Sequence, residues 1–262
     1  MDLQLAGKKV LVTGSTAGIG FATAREFAAE GASVVINGRT QERVDRAITE
    51  IRKLRPEAGL SGVASDVSNA AGCAKLVQAV AQADVLINNM GIFEPKPFEQ
   101  IPDTDWLRLF EANVMSGVRL SRHYLSGMRQ KNWGRIIFVS SESAVQIPAE
   151  MIHYGMTKTA QVAVARGIAE SVAGTRITVN SVLAGPTRSE GVESFIAQMG
   201  GSGDSAAFEQ EFFKSIRPTS LLKRFETTDE VAHMIVYLSS PLASATSGAA
   251  IRADGGVVRA IL

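Results

Sequence analysis

The chain has 262 residues, of which 45% are hydrophobic and 20% charged, and its formal net charge is +1. These proportions are ordinary for a globular protein with a substantial core, and the small net charge argues against a nucleic-acid or anionic-membrane partner. No apolar run approaches the ~20 residues needed to span a bilayer. The N-terminus lacks a basic start followed by an apolar stretch, so no secretory signal is visible and we expect a cytoplasmic protein.

Cysteine and histidine are too sparse to suggest a disulfide or a metal site. Cys73 is the only cysteine, which excludes an internal disulfide and a cysteine-based metal cluster. The histidines, His123, His153 and His233, have no partners at metal-ligand spacing. We therefore expect no metal, and ordinary surface or packing roles for the histidines.

Short apolar runs rich in Val and Ile alternate with segments of helical period. The runs are apolar on both faces, as in a parallel sheet covered by helices on each side. The predicted strands are Val10–Thr13, Ser33–Ile36, Gly62–Ala64, Val85–Asn88, Arg135–Ser140, Arg176–Val182 and Ala249–Arg252. The predicted helices are Ile19–Glu30, Gln41–Leu54, Ala70–Ala81, Trp106–Arg129, Ile152–Val172 and Asp229–Ser239. This alternation, without a Pro/Ser-rich linker, predicts one doubly wound α/β domain over residues 1–262 with a seven-stranded parallel sheet.

The first predicted strand runs directly into a glycine-rich turn, Thr13–Gly20, and then into a helix. Glycines allow the backbone to turn tightly and approach a phosphate, and a helix N-terminus offers free N–H groups and a partial positive charge. The turn is therefore a candidate pyrophosphate site. An ordinary strand-to-helix loop is the alternative, because the spacing of Gly14, Gly18 and Gly20 departs from G-x-G-x-x-G.

The T-G-x-x-x-G-x-G spacing at the start of an α/β chain of this length resembles the short-chain dehydrogenase/reductase family. Further landmarks follow in the family's order along almost the whole chain. They are Asn88-Asn89-Met90-Gly91, Asn113, Ser141, Tyr154-Gly155-Met156-Thr157-Lys158, Gly185-Pro186-Thr187 and Asp254-Gly255-Gly256. The resemblance implies a Rossmann fold, a nicotinamide cofactor and the interconversion of a ketone and a secondary alcohol.

Cofactor contacts are expected along the motifs that match the family. The expected contacts are Gly14, Ser15, Thr16, Gly18, Ile19, Gly20, Arg39, Asp66, Val67, Asn88, Gly91, Tyr154, Lys158, Gly185 and Thr187. Asp66 and Val67 resemble the family's adenine-contacting pair, although Asp66 could equally cap the helix that follows. Met90 stands where the family usually has Ala, so its side chain must point away from the cofactor or repack the ribose pocket.

The end of the second predicted strand bears on the choice between NADP(H) and NAD(H). In dinucleotide folds an acidic residue near this point hydrogen-bonds the adenosine ribose, whereas a 2′-phosphate needs a cation. Gly38 takes the acidic position here, and the Arg39 guanidinium that follows can donate two hydrogen bonds to a phosphate. We expect NADP(H) to be favoured over NAD(H). The alternative is that Arg39 simply lies in an exposed loop beside Arg43.

The candidate catalytic residues are Asn113, Ser141, Tyr154 and Lys158. Tyr154 and Lys158 lie one turn apart on a predicted helix, and Ser141 ends a predicted strand thirteen residues before Tyr154. A phenol can protonate a substrate oxygen, but its ordinary pKa near ~10 must fall, which a neighbouring ammonium favours. The resemblance implies that Lys158 also binds the nicotinamide ribose and that Ser141 donates a hydrogen bond to the substrate oxygen. It further implies that Asn113 distorts its helix and holds a water linking Lys158 to solvent.

Three polar residues near this set are interpreted as bystanders. His153 points about 100° away from Tyr154 around the helix. Glu142 and Glu150 are expected to be solvated loop carboxylates rather than acid or base groups.

A stretch of some thirty residues, 189–218, lies between the sixth and seventh predicted strands. It is far longer than the ~4–6 residues typical of connections, and such connections are often active-site lids. Two amphipathic pieces, Val192–Met199 and Ser205–Ile216, are joined by Gly200–Gly203. This pattern predicts a mobile lid favouring a substrate with a hydrophobic portion, the alternative being a fixed helical hairpin.

The tail Val257–Leu262 is nearly all apolar. Exposed, it would form a sticky patch, so we expect a symmetry mate to cover it. The resemblance implies a homotetramer.

The function expected is that of an NADP(H)-dependent oxidoreductase acting on a small-molecule carbonyl or alcohol. A 3-oxoacyl-(acyl carrier protein) reductase is one alternative, in which Arg129 and Lys131 would meet the acidic carrier; two such cations before a strand are usually a solvated turn. A catalytically silent NADP-binding regulator is the alternative from another class. The presence of all four candidate catalytic residues argues against it.

Overall fold

The computed structural model describes residues 1–189 and 205–261. Its strands form one sheet in the order β3-β2-β1-β4-β5-β6-β7, and each strand pairs with its neighbours in parallel. They are β1 (Lys9–Val12), β2 (Ser33–Gly38), β3 (Leu60–Ala64), β4 (Val85–Asn88), β5 (Gly134–Ser141), β6 (Ile177–Ala184) and β7 (Ala250–Ala253). The doubly wound, seven-stranded parallel sheet predicted from the sequence is confirmed.

Helices connect the strands along the chain. They are α1 (Gly18–Ala29), α2 (Gln41–Leu54), α3 (Ala70–Ala79), α4 (Asp103–Phe110), α5 (Ser116–Lys131), α6 (Ile152–Ser171), α7 (Ser205–Glu211) and α8 (Thr228–Ser239). The predicted lid piece Ser205–Ile216 is helical, as α7 followed by a π-helical turn, Phe212–Ile216. The other predicted piece, Val192–Met199, lies outside the described residues. Within the part of the chain that the structure covers, no helix is long and apolar enough to cross a membrane.

The core lies in two layers, one on each face of the sheet. On one face α1, α2 and α8 pack against the strands, with Phe27 and Ile235 fully buried. On the other face α3, α5 and α6 pack against them through residues such as Leu76 and Tyr124. Each such side chain contributes about 1.5–3 kcal/mol of burial free energy. The strands are therefore apolar on both sides, as their composition indicated.

One predicted helix, Trp106–Arg129, is interrupted. A π-helical turn, Glu111–Met115, separates α4 from α5. The backbone carbonyl of Asn113 in this turn accepts a hydrogen bond from Gln161 Nε2 at 2.6 Å. Single π turns inside α-helices are frequent at functional sites. The prediction of a continuous helix was wrong, whereas the helix distortion expected at Asn113 is present.

The apolar C-terminal tail folds back on its own chain. Val257 and Val258 are buried, and the Arg252 guanidinium donates to the carbonyl oxygens of Val258 and Ala260 at 3.1 and 2.7 Å. Ile261, in contrast, is 95% exposed. The expectation that a symmetry mate must cover the tail is therefore wrong for its first two valines.

A buried carboxyl group lies beneath the turn that follows β6. Glu226 is 4% exposed, and its Oε2 has no hydrogen-bond partner among the described residues. Its backbone N–H donates to the Pro186 carbonyl at 2.9 Å and its carbonyl accepts from the Arg188 N–H at 2.8 Å. Burial raises the pKa of Glu226 to about 8, and the nearby Asp254 carboxylate adds to the increase. The side chain is therefore protonated at neutral pH.

We expect Glu226→Gln to change how stability depends on pH. The folded chain keeps the Glu226 proton up to a pKa of about 8, whereas the ordinary value is 4.5. Because the folded state binds this extra proton, wild-type stability should fall as pH rises between these values, by up to about 1.4 kcal/mol per pH unit. Urea unfolding across this range should show less of that fall in the variant. Glu57→Gln, at an exposed site, is the control, and equal slopes in wild type and Glu226→Gln would contradict the prediction.

Candidate active site

The carboxyl ends of β4, β5 and β6 and the start of α1 lie at one edge of the sheet and border a cavity of about 620 Å³. Crevices of this kind, where the strand order reverses, are the usual ligand sites of doubly wound sheets. Seven of the sequence-predicted site residues line the cavity. These are Ile19, Gly91, Ser141, Tyr154, Lys158, Gly185 and Thr187.

The glycine-rich turn is held by buried polar side chains. Ser15 Oγ donates to the Val12 carbonyl at 2.7 Å and accepts from the Asn37 N–H at 2.9 Å. Asn37 Oδ1 accepts from the Gly14 N–H at 3.3 Å, while its Nδ2 donates to Ser65 Oγ at 3.0 Å. The Ser15 hydroxyl therefore stabilises the turn through hydrogen bonds within the protein. Asn37, which the sequence reasoning missed, connects the turn to the ends of β2 and β3.

A close approach at Gly20 brings the loops after β1 and β4 together. A Cβ on Gly20 would lie 2.4 Å from Asn89 Nδ2 and 2.5 Å from the Gly14 carbonyl oxygen. Asn89 Nδ2 donates to the carbonyls of Thr13 and Gly14 at 2.8 and 3.1 Å. Asn89 lines the cavity, whereas the Asn88 side chain donates to Ser121 Oγ on α5 at 3.1 Å. The structure thus turns the predicted Asn88 side chain away and places Asn89 at the site.

The turn and the helix after it have the geometry of a phosphate cradle. Gly14 and Gly18 have φ of +61° and +58°, which other residues rarely adopt. Gly18 is also the first residue of α1, whose N-terminal N–H groups face an anion favourably. This backbone fits the pyrophosphate of a dinucleotide.

The expected adenosine contacts lie beyond β2 and β3. Arg39 is exposed, and Thr16 fills the space beside Gly38, since a Cβ there would lie 2.4 Å from Thr16 Cγ2. Asp66 Oδ1 accepts from the Ser68 N–H at 3.1 Å. Asn69, not Asp66, caps α3. Val67 is buried in the core, so its backbone rather than its side chain is available to a ligand.

Lys158 is almost completely buried beneath the cavity. It is 4% exposed, and its Nζ donates to the Val139 carbonyl at 3.0 Å. The Nζ lies 5.5 Å from the centroid of the Tyr154 ring. Burial lowers the pKa of Lys158 to about 8. The ammonium is therefore mostly protonated at neutral pH, but it loses its proton more readily than an exposed lysine.

Burial is the main influence on Tyr154 within this chain, and it raises the pKa of the phenol. The Glu142 carboxylate raises it further, while the nearby Ser141 hydroxyl and the Arg217 guanidinium lower it. The Phe93 ring packs edge-on at a centroid distance of 6.0 Å. The polypeptide alone thus keeps Tyr154 protonated.

Glu142 contradicts its sequence-based interpretation as a solvated carboxylate. It is 4% exposed, and its Oε2 accepts hydrogen bonds from both Ser141 Oγ and Ser143 Oγ. Its Oε1 accepts from Arg217 Nε at 2.8 Å, and Arg217 Nη1 also reaches Glu150 Oε1 at 3.2 Å. Arg217 follows the Phe212–Ile216 turn, seventy-five positions from Glu142. No local sequence pattern predicts an ion pair between residues that far apart, so Arg217 was not among the residues predicted from the sequence.

Asn113 lies behind the cavity rather than on its wall. Its Oδ1 accepts from the Ile92 N–H at 2.7 Å, and its Nδ2 donates to the Ile92 carbonyl at 2.9 Å and to Thr157 Oγ1 at 3.0 Å. These bonds tie the π turn to the loop after β4 and to α6. The Asn113 carbonyl accepts a hydrogen bond from Gln161 Nε2, and the water expected beside Asn113 stays a prediction.

The remaining wall of the cavity is largely apolar. Its side chains come from the loop after β4, the segment before α6 and the segment after α7: Phe93, Pro95, Met151, Phe212, Ile216 and Phe225. Phe212, Phe213 and Phe225 form a small buried cluster of their own. His153, expected to be a packing or surface residue, is buried against Trp106 at a ring distance of 5.8 Å. Met90 packs on the core, as a side chain pointing away from the cofactor would.

Comparison with known proteins identifies the family. Residues 14–258 match the family model described as Enoyl-(Acyl carrier protein) reductase. The chain is 48% identical to "Uncharacterized oxidoreductase YvaG" of Bacillus subtilis (strain 168), over 100% of both chains. It resembles the crystal structure of L-sorbose reductase from Gluconobacter frateurii complexed with NADPH and L-sorbose, with a TM-score of 0.92, 30% identity and 100% of both chains covered.

A third relative carries the other nicotinamide cofactor. The structure of a 7α-hydroxysteroid dehydrogenase complexed with NADH and 7-oxo glycochenodeoxycholic acid matches with a TM-score of 0.85 and 27% identity, over 100% of this chain and 98% of that one. The fold, the cavity at the carboxyl ends of the strands and these similarities all indicate the same family. The chain is an oxidoreductase that belongs to the short-chain dehydrogenase/reductase family.

Proposed function

We propose that this chain is an NADP(H)-dependent oxidoreductase that interconverts a ketone and a secondary alcohol, with Tyr154 as general acid and base. The observation that carries the proposal is that Ser141, Tyr154 and Lys158 border one cavity beside the glycine-rich turn. A bound nicotinamide would supply or accept the hydride. Reduction places negative charge on the substrate oxygen, which a protonated Tyr154 neutralises. The Lys158 ammonium favours the resulting phenolate.

Two neighbouring residues support this proton transfer in the proposal. Ser141 donates a hydrogen bond to the substrate oxygen once it turns its hydroxyl from Glu142 towards the substrate. Asn113 acts from behind the cavity as a positioning residue, through its bonds to Ile92 and Thr157. The glycine-rich turn would hold the pyrophosphate, and Gly185 and Thr187 would border the nicotinamide.

The alternative of an acyl carrier protein as partner receives no support from its two candidate cations. Lys131 Nζ pairs with Asp84 Oδ1 at 2.8 Å. Arg129 Nη2 donates to the Ser171 carbonyl at 2.8 Å. The expected substrate is a small-molecule ketone or alcohol, and the apolar wall formed by Phe93, Met151 and other residues favours one with a hydrophobic portion. The lid, the homotetramer and the cytoplasmic location stay predictions.

We expect Tyr154→Phe to reduce turnover by about 10²-fold or more, because general acid–base catalysis typically contributes that much. Cofactor binding should persist, since only a hydroxyl is removed. Turnover would be followed by NADPH oxidation with a panel of ketones, and binding by NADPH fluorescence. Tyr237→Phe, at a tyrosine exposed on α8, is the matched control. Activity within tenfold of wild type in the Tyr154 variant would exclude this mechanism.

We expect Arg39→Gln to lower kcat/KM with NADPH by roughly 10–100-fold, the effect of losing one charged hydrogen bond to the 2′-phosphate. The value with NADH should stay unchanged. Gly38→Asp is a poorer test, because its Cβ would displace Thr16 as well as add charge. Arg52→Gln, at the far end of α2, is the control. A wild-type enzyme that prefers NADH would overturn the cofactor assignment.

We expect Glu142→Gln and Arg217→Met to shift the pH profile of alcohol oxidation in opposite directions. The charged groups facing Tyr154 are Glu142, Arg217 and Lys158, with Glu150 behind Arg217. Removing the Glu142 charge lowers the pKa of Tyr154, and removing the Arg217 charge raises it. The rise of kcat/KM with pH should move by about one pH unit, to lower pH for the first variant and higher pH for the second.

Glu150→Gln is the control for this pair, because Glu150 contacts Arg217 but not Ser141. It should leave the profile nearly unchanged. If Glu142 and Arg217 serve only to hold the loop, both variants will lower kcat with the pH midpoint unmoved. That result would refute a role for this ion pair in tuning Tyr154.

A further inference from the structure

A second cavity, of about 570 Å³, lies at the edge of the sheet opposite the active site. Its lining residues lie at the amino ends of β5 and β6, in the C-terminal half of α6 and in the connection from α8 to β7. They include Trp133, Arg135, Arg176 and Thr178. Because the strands are parallel, the full length of the sheet separates this cavity from Tyr154.

The floor of this cavity contains a buried guanidinium. Arg135 is 1% exposed, and it stacks on the Trp133 ring at 4.6 Å. Its Nη1 donates to the carbonyls of Gly134 and Arg176 at 2.8 and 2.9 Å, and its Nε to that of Ser240 at 3.4 Å. Burial, and then the Arg176 charge, lower the pKa of Arg135 to about 10. The group therefore remains charged at neutral pH.

The charges around this guanidinium do not balance. Three arginines and one carboxylate line the cavity within the described residues, and that carboxylate, Glu170, pairs with Arg166. Arg135 and Arg176 form no ion pair with any carboxylate in residues 1–189 and 205–261. Backbone carbonyls carry only partial charge. A buried cation without a counter-charge costs several kcal/mol, so the arrangement calls for an anion.

Two hydrogen-bonding groups at the same place, one of them sealed from solvent, lack partners in the described chain. Arg135 has five N–H donors, and its Nη2 donates to no described residue. Thr178, on β6, is 4% exposed, and its Oγ1 is sealed from solvent without a partner in the described chain. Buried polar groups are nearly always hydrogen-bonded. A ligand with several acceptor oxygens would accept from Arg135 Nη2, and a turn of the Thr178 side chain would bring its hydroxyl to the same ligand.

We propose that this second cavity binds a small oxyanion, the phosphate or carboxylate group of a small molecule, with Arg135 and Thr178 at its floor and Arg176 at its rim. A guanidinium held in a fixed plane suits the oxygens of such a group. A cationic ligand would be repelled by both unpaired arginines. An uncharged ligand would leave their charge uncompensated.

Calorimetric titration tests this proposal without reference to catalysis. Inorganic phosphate and citrate serve as the two probes, with sodium chloride at matched ionic strength as the baseline. The protein is titrated with and without saturating NADP⁺, because the glycine-rich turn is itself a candidate phosphate site. We expect one probe or both to bind NADP⁺-saturated protein above the chloride baseline. The tighter probe then indicates whether phosphate or carboxylate is the recognised group.

Two variants locate the binding. Arg176→Gln and Thr178→Val should each weaken it by roughly tenfold or more, the effect of losing a hydrogen bond that involves a charged group. Arg122→Gln, at an exposed site on α5 outside the cavity, should leave it unchanged. Circular dichroism would establish that each variant folds. Binding no stronger than that of chloride, binding abolished by NADP⁺, or equal affinity in wild type and both variants would overturn the proposal.

Discussion

The parallel pairing of seven strands is the constraint on which the rest of this structure depends. Because parallel strands all end at one edge, loops that are far apart in the sequence meet there and border a single cavity. The pairing of β1 with β4 reverses the strand order and opens the crevice. Two asparagine side chains then connect the loops. Asn37 bonds the glycine-rich turn to β2 and β3, and Asn89 bonds it to the loop after β4. Because these amides are largely buried, losing one of their hydrogen bonds would cost the desolvation free energy of the unpaired polar atom. The bonds therefore favour this one arrangement of the loops.

Buried charge distinguishes the two ends of the sheet. At the carboxyl end Glu142 and Arg217 form an ion pair that also holds the hydroxyl of Ser141. Such a pair is weak evidence for stability, because desolvation opposes the attraction between the charges, but breaking it leaves one charge buried alone. The ion pair connects the segment after α7 to the end of β5. A change in the wall of the cavity at Arg217 therefore alters the charge next to the candidate catalytic serine, Ser141. At the amino end Arg135 has no such partner among the described residues, which makes the two ends chemically different.

The predictions failed where a residue's environment depends on distant parts of the chain. The helix over residues 106–129 has a continuous helical pattern, yet a π turn interrupts it, and Asn113 in that turn bonds Ile92 and Thr157 on other elements. Glu142 was interpreted as a solvated loop carboxylate, yet it is buried and pairs with Arg217, seventy-five positions away. Side-chain direction also escaped prediction for the two adjacent asparagines after β4, since only packing against α5 decides which of them turns inward.

The sequence by itself determined the order and type of the elements, the glycine-rich turn and the family, because these depend on local periodicity and on short motifs. Strand and helix positions were predicted to within a few residues, as apolar period and glycine placement allow. The tertiary structure alone decided which side chains line the cavity, that Glu142 and Glu226 are buried, and that Lys158 lies beneath Tyr154 with a lowered pKa. The physical reason is that burial, and with it the electrostatics of a charged group, is set by neighbours brought together through long-range packing, about which local sequence carries no signal.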